Sequence, residues 1–153
     1  MVNIFKNPKE RTRFLKFTAV GCIGFVVDFG VMNLLLKFTG NPQLSTAISD
    51  IVAFTNNFFW NRYWTYPDAR EKPLLKQFLQ FIVINLIGLG IRLLLFATID
   101  APISNYFKRV LPSDFFMNPK DFGHNVTQFI AMCIVGLWNF FANRMWTYND
   151  VSS

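Results

Sequence analysis

A ten-residue sequence occurs twice in this chain, and it constrains the fold more than any other feature. Residues 57–66 read NFFWNRYWTY and residues 139–148 read NFFANRMWTY, so eight of the ten positions are identical. A second similarity lies upstream, where residues 14–30 (FLKFTAVGCIGFVVDFG) align with residues 78–94 (FLQFIVINLIGLGIRLL). We therefore predict a tandem duplication of a two-helix unit, with repeat one over about 14–66 and repeat two over about 78–148.

The composition places these repeats in a membrane. Hydrophobic residues make up 52% of the chain and charged residues 16%, against roughly 25% charged in soluble domains. Four stretches, near 14–37, 44–61, 78–99 and 126–143, are each long enough to cross a bilayer. They are apolar nearly all round, which disfavours a soluble four-helix protein. We predict an all-α integral membrane fold with four transmembrane helices, in one membrane domain over 1–153.

Some of these predicted helices are less apolar than others. Polar residues interrupt the second stretch, among them Ser49, Asp50 and Asn56, so it is the weakest of the four transmembrane candidates.

The basic residues predict the orientation of the helices, because cytoplasmic flanks are enriched in lysine and arginine. Ten of them fall on one side: Lys6, Lys9, Arg11, Arg13, Lys16, Arg62, Arg70, Lys72, Lys76 and Arg144. Four fall on the other: Lys37, Lys108, Arg109 and Lys120. We predict a multi-pass protein with both termini in the cytoplasm. With two helices per unit, the repeats are parallel and related by an axis along the membrane normal.

The second outer loop is predicted to contain structure of its own. Asp100 is a candidate helix cap with Pro102 in the first turn, and apolar residues follow at helical spacing. This pattern predicts a short amphipathic helix on the outer membrane face, acting either as a linker or as a gate.

Charged residues inside the predicted helices form the first candidate site. Asp28 and Arg92 fall near the middle of the first and third helices, at equivalent positions of the two repeats. A charge at the midplane is costly unless it is paired or hydrated, so we predict a salt bridge between them. Such a pair would either lock the helices together or open and close during transport of an anionic substrate. Five glycines in these helices would permit close packing: Gly21, Gly24, Gly30, Gly88 and Gly90.

The duplicated decapeptide supplies the second candidate site. Each copy has two asparagines four residues apart, directly followed by an arginine: Asn57, Asn61 and Arg62, then Asn139, Asn143 and Arg144. Carboxamide and guanidinium donors at the cytoplasmic headgroup level favour binding of a phosphate or of sugar hydroxyls. The alternative is that the arginines snorkel beside aromatic-belt residues, namely Trp64, Tyr66, Trp146 and Tyr148.

These motifs resemble a known family. FLKFTAVGCIGFVVDFG, NFFWNRYWTY and NFFANRMWTY are similar to the GtrA-like family of small bacterial four-helix membrane proteins, and the resemblance covers Phe14 to Tyr148. It implies a flippase that moves a polyprenyl-phosphate-linked sugar, such as undecaprenyl phosphate glucose, to the outer leaflet of the bacterial inner membrane for polysaccharide biosynthesis. The partners that it implies are membrane lipid and a membrane glycosyltransferase. The long outer loop from Asp100 to His124 departs from the family pattern.

Two other functions remain open from the sequence. The first is a non-transporting accessory subunit that anchors or stabilises a polyprenyl-phosphate glycosyltransferase. The second is a small drug-cation exporter with Asp28 as its proton-coupled carboxylate, which Arg92 at the equivalent position disfavours. We expect no enzyme activity, cofactor, metal or nucleic-acid partner, because no suitable set of residues is present. Four helices make a thin wall around a polar path, which is compatible with a homodimer.

Overall fold

The computed structural model describes residues 7–112 and 114–149. The regular structure in these two ranges is helical, as the sequence predicted. Lys6, one of the cations used to predict the orientation, lies outside them. The long helices are α1 Pro8–Thr39, α2 Pro42–Trp60, α3 Leu74–Val110 and α4 Pro119–Ala142.

An Asn-Pro dipeptide begins three of these helices. In each case the asparagine side chain accepts a hydrogen bond from a first-turn backbone N–H: Asn7 from Lys9 at 2.9 Å, Asn41 from Leu44 at 3.1 Å, and Asn118 from Lys120 at 2.9 Å. Proline suits the next position because its missing N–H would have no helical partner there. These caps place the starts of α1 and α4 six or seven residues before the predicted boundaries at 14 and 126.

A tight turn joins α1 to α2. Gly40 has a φ of 61°, in the left-handed region that glycine adopts without strain, and its N–H donates to the Leu36 carbonyl at 3.0 Å. Only Gly40 and Asn41 separate the two helices, so α1 and α2 form an antiparallel hairpin.

Within the described ranges, three segments are long and apolar enough to cross a membrane: Pro8–Thr39, Leu74–Val110 and Pro119–Thr147. The protein is therefore a membrane protein with three apolar spans. α2 is shorter and more polar, and Ser45 and Ser49 are buried within the protein whereas Ile51 is exposed. Burial within the protein thus accounts for Ser45 and Ser49, whereas Thr46 and Asp50 of the same helix are exposed. That α2 crosses the membrane as a fourth span stays a prediction.

The predicted short amphipathic helix after Asp100 is wrong as a separate element. α3 runs without a break through Asp100 and Pro102 to Val110. Asp100 is consequently not a helix cap. Its carboxylate instead lies 2.8 Å from Nδ1 of His124 in α4.

Packing against α4 explains why α3 continues past its internal proline. A methyl group at Gly123 would lie 3.0 Å from the backbone nitrogen of Ser104, so the two helices touch closely there. Slightly further along, the rings of Phe107 and Phe122 meet edge to face with centroids 4.9 Å apart. These contacts offset the helix-breaking effect of Pro102, which removes one backbone hydrogen bond.

The chain divides into two compact units. The first contains the described residues of Met1–Phe78 and Tyr148–Ser153, and the second is Leu79–Thr147. The boundary after Phe78 falls at the start of the predicted second repeat. The repeats themselves, over about 14–66 and 78–148, stay a prediction.

The first unit is completed by the segment that leads from α2 towards α3. A short 3-10 helix, Pro67–Glu71, follows the tail of the α1–α2 hairpin. The Gln77 side chain donates to the Ala69 carbonyl at 2.8 Å, and the Phe58 and Phe78 rings pack edge to face at 5.0 Å. The connection is therefore held against the hairpin by a buried hydrogen bond and an aromatic contact.

Candidate functional site

Both copies of the duplicated decapeptide contain a π-helical turn. We call residues 57–66 the first tail and residues 139–148 the second tail. The turns are Asn61–Thr65 and Asn143–Thr147, each directly after an α-helix. In the first tail the Tyr66 N–H donates to the Asn61 carbonyl at 2.8 Å, which is the longer hydrogen-bond spacing of a π-helix. Such turns are rare and are frequent at functional sites.

The sequence analysis missed these turns. It placed the asparagines of each tail on one face of a continuous α-helix, and no simple residue pattern distinguishes the two windings. The repetition of the same unusual turn in two copies of one motif indicates that the motif itself favours it.

The arginines of both π-turns are buried in the protein. Arg62 is 5% exposed and Arg144 is 6% exposed, so neither side chain lies open at the surface. One guanidinium nitrogen of Arg62, Nη2, donates to the Lys72 carbonyl at 3.0 Å. Arg62 thus fixes the connection that follows the first tail. Its role in binding a substrate stays a prediction, as does that of Arg144.

Asn57 in the first tail packs against a glycine of α1. A methyl group at Gly24 would overlap the Asn57 carboxamide, with its carbon 2.7 Å from Cγ. The glycine therefore makes room for the amide. Within the described ranges, Oδ1 of Asn57 and Oδ1 of the buried Asn61 have no hydrogen-bond partner.

Asn139 in the second tail occupies the equivalent position in the second unit. A methyl group at Gly88 of α3 would lie 3.0 Å from the Asn139 Oδ1 atom. The Asn139 amide also donates to Oδ1 of Asn85 at 3.5 Å, and the indole of Trp138 donates to the Ile84 carbonyl at 3.1 Å. In both units, then, a glycine on one helix receives the first asparagine of the tail.

Only two of the five glycines predicted to permit close packing between helices receive an asparagine in this way. They are Gly24 and Gly88. A methyl group at Gly21, Gly30 or Gly90 would meet no atom of the described residues within 4 Å.

The two tails differ at their threonines. The Thr147 hydroxyl donates to Oδ1 of Asn143 at 3.0 Å, and the Asn143 amide donates to the Asn139 carbonyl at 2.8 Å. The first tail lacks the corresponding bond, because neither the Thr65 hydroxyl nor Oδ1 of Asn61 has a partner within the part of the chain described. Within the described residues, the hydrogen bond between the threonine and the second asparagine of the motif is therefore formed in the second tail and missing from the first.

The predicted intramembrane charges each have polar neighbours in their own unit. Asp28 is partly buried in α1, and Asp50 of α2 is close enough to repel it electrostatically. Arg92 of α3 donates through Nη2 to Oε1 of Gln128 in α4 at 3.0 Å. The sequence analysis assigned neither neighbour to this site, although both lie on the helix that follows in the chain. The pairing of Asp28 with Arg92 stays a prediction.

Aromatic residues are buried at the end of the first unit where α1 begins. Tyr66 and Tyr148 are fully buried there and form a small core with Ala69, against which Phe17 packs. Burial raises the pKa of Tyr148 above its ordinary value, and the Arg62 guanidinium partly opposes this effect. The tyrosines predicted to belong to an interfacial belt thus form a protein core instead.

Comparison with known proteins identifies the family of the chain. A family model described as the GtrA/DPMS transmembrane domain matches residues 16–148. The chain is similar to a dolichol-phosphate mannosyltransferase of Pyrococcus furiosus, with 30% identity over 113 residues that cover 71% of this chain and 32% of the relative. It is also similar to the membrane protein YngA of Bacillus subtilis, with 28% identity over 148 residues that cover 95% of this chain and 86% of the relative.

The chain spans about a third of the length of the Pyrococcus relative and most of the length of the Bacillus one. The resemblance seen in the sequence motifs is confirmed by the family match: the chain belongs to the GtrA/DPMS transmembrane-domain family.

Proposed function

We propose that this protein is a flippase for a polyprenyl-phosphate-linked sugar, such as undecaprenyl phosphate glucose. It would move the lipid from the cytoplasmic to the outer leaflet of the bacterial inner membrane, where the sugar is used to glycosylate cell-surface polysaccharide. The observation that carries the proposal is the family match over residues 16–148. The name of the Pyrococcus relative supports it, because dolichol phosphate is itself a polyprenyl phosphate.

The two tails are the proposed contacts for the polar head of the lipid. The residues are Asn57, Asn61 and Arg62 of the first tail and Asn139, Asn143 and Arg144 of the second. Four of them, Asn61, Arg62, Asn143 and Arg144, are buried, so the head would meet these side chains inside the protein. A buried guanidinium attracts a phosphate more strongly than an exposed one, because less water screens the interaction.

Asp28 and Arg92 are proposed to control passage of the head through the membrane. Each has a polar neighbour in its own unit: Asp50 lies near Asp28, and Gln128 accepts a hydrogen bond from Arg92. The polyprenyl tail would remain in the lipid. The proposed movement is downhill and is driven by consumption of the lipid-linked sugar outside.

A second candidate is a non-transporting accessory subunit of a membrane glycosyltransferase. The specific observation in its favour is that the matched region is only a third of the Pyrococcus protein, which carries the name of a mannosyltransferase. In that arrangement a domain of this family accompanies a longer chain. Here it would anchor or stabilise a separate enzyme, itself performing no catalytic step, alone or as a homodimer.

The two candidates differ in what a cell loses when the protein is removed. Membranes would be isolated from cells with and without the gene, and synthesis of the lipid-linked sugar would be measured separately from its appearance in the outer leaflet. The flippase proposal expects unchanged synthesis and loss of the outer-leaflet pool. Reduced synthesis in the isolated membranes would contradict it and favour the accessory subunit.

A further inference from the structure

A cavity of about 310 Å³ lies in the first unit, where the start of α1 meets the end of the first tail. Its polar wall residues are Lys9, Thr12, Arg13, Lys16, Thr65 and Asp68. The cavity lies at the end of the hairpin predicted to face the cytoplasm. None of these residues was among those assigned to a site from the sequence.

The cations of the wall share one face of α1. Lys9, Arg13 and Lys16 are four and three residues apart, the spacing that brings side chains together on a helix. They outnumber the one carboxylate of the wall, Asp68. Even with the buried Glu10 behind Arg13, positive charge is in excess, so the cavity favours an anion.

Two of these cations are held in place by the protein. Arg13 lies 2.6 Å from a Glu10 carboxylate oxygen and 3.3 Å from one of Asp68. Lys16 donates to the Trp64 carbonyl at 3.3 Å and sits 5.6 Å above the indole ring. Lys9 is exposed at the rim. The wall thus combines two cations held by the protein with one exposed cation.

Thr65 provides an independent indication that the cavity binds a ligand. The residue is 1% exposed, and its hydroxyl has no hydrogen-bond partner among the residues described. A buried hydroxyl without a partner costs about 1–3 kcal/mol. Its counterpart Thr147 avoids this cost through its bond to Asn143. The unsatisfied hydroxyl therefore belongs to the copy of the decapeptide that lines the cavity.

We infer that this cavity binds the glycosyl phosphate head of the lipid, with Lys9 and Lys16 on the phosphate and Asp68 and Thr65 on sugar hydroxyls. The inference rests on the proposed function, since it assigns that substrate a first docking site. A phosphodiester carries one negative charge and a sugar offers only hydroxyls, which suits a wall of cations beside a carboxylate and a hydroxyl. The cavity volume is near the lower end of ligand sites, about 300 Å³, which suits a head group without its tail.

The test measures binding and transport separately on purified full-length protein in lipid nanodiscs and in proteoliposomes. The probe is undecaprenyl phosphate glucose, with undecaprenyl phosphate and phosphatidylglycerol as competitors. Lys9→Gln is compared with Arg11→Gln, which removes the same charge from a neighbouring exposed residue outside the cavity. Thr65→Val is compared with Thr65→Ser, which keeps the hydroxyl at the same position.

We expect Lys9→Gln to weaken binding about tenfold and Thr65→Val to weaken it severalfold, as lost hydrogen bonds to a phosphate and a sugar would. Arg11→Gln and Thr65→Ser should bind like wild type. Equal binding of Lys9→Gln and Arg11→Gln, with wild-type transport intact, would overturn the inference and leave the flippase proposal standing.

The competitors decide which head group the cavity recognises. Undecaprenyl phosphate should compete less well than the glycosylated lipid, and phosphatidylglycerol least. Equal competition by phosphatidylglycerol would overturn the glycosyl phosphate assignment in favour of a general anionic-lipid site. A wild-type protein that neither binds nor moves the probe would overturn the inference and the flippase proposal together.

Discussion

The rings of Tyr66 and Tyr148 stack with their centroids 4.3 Å apart and their planes inclined by 15°. Each tyrosine ends one copy of the duplicated decapeptide, so equivalent positions of the two copies meet face to face. Both side chains are fully buried. The stack therefore fixes the last described residues of the chain to the first unit.

Removing one ring of the stack is expected to destabilise the protein. Tyr148→Ala should cost about 3–5 kcal/mol, the usual loss for a buried aromatic residue replaced by alanine. Tyr148→Phe keeps the ring and serves as the control. Thermal unfolding of the purified protein in detergent measures both, and an alanine variant as stable as the phenylalanine variant would contradict the stacking account.

The same tyrosine predicts a loss of stability in alkali. Burial raises the pKa of Tyr148 above its ordinary value, with the Arg62 guanidinium opposing, whereas an unfolded tyrosine ionises near pH ~10. The stability due to the neutral phenol is fully present below the unfolded pKa and is lost as pH rises through the folded pKa. Unfolding free energy should fall above about pH 10 in wild type and fall less in Tyr148→Phe. Identical alkaline profiles would refute this assignment.

The contact between Gly24 and Asn57 predicts a position-specific effect of one methyl group. Gly24→Ala should cost about 1–3 kcal/mol, because the added carbon overlaps the Asn57 carboxamide. Gly21→Ala on the same helix is the control, since nothing described lies within 4 Å of it. Asn57→Ala should relieve the cost in a double-mutant cycle of unfolding free energies. Equal effects of the two alanines would argue against the contact.

The threonines of the two tails should respond differently to the same substitution. Thr147→Val leaves Oδ1 of the buried Asn143 without its donor and is expected to cost about 1–3 kcal/mol. Thr65→Val removes a buried hydroxyl that makes no hydrogen bond within the described residues and should stabilise the protein by up to about 1–3 kcal/mol, the cost of that unsatisfied group. Unfolding of the two variants in detergent compares them directly. A larger loss for Thr65→Val would contradict the asymmetry between the tails.

Much of the fold could be predicted because it depends on periodicity and composition. The long apolar stretches predicted the three spans, and the weakness of the second stretch was evident from its polar residues. The helix starts were predicted too late because the Asn-Pro caps at Asn7 and Asn118 were not used. The continuation of α3 past Pro102 could not be predicted, since it depends on contacts with α4 far along the chain.

The candidate site was predicted in its residue types and missed in its geometry. The repeated Asn and Arg pattern located both tails, but the π-turns that bury Arg62 and Arg144 have no signal in residue spacing. The cavity beside Thr65 was missed for a related reason. Its cations were attributed to membrane orientation alone, and only the folded hairpin brings them beside the first tail.

The most direct test of the account is translocation of undecaprenyl phosphate glucose in proteoliposomes that contain the purified protein. Wild type should speed leaflet exchange well above protein-free liposomes, and Arg62→Ala, Arg144→Ala and Asp28→Asn at matched levels of folded protein should each slow it about tenfold or more, as loss of a charged contact would. Exchange no faster than in protein-free liposomes, for this and several other lipid-linked sugars, would contradict the flippase proposal.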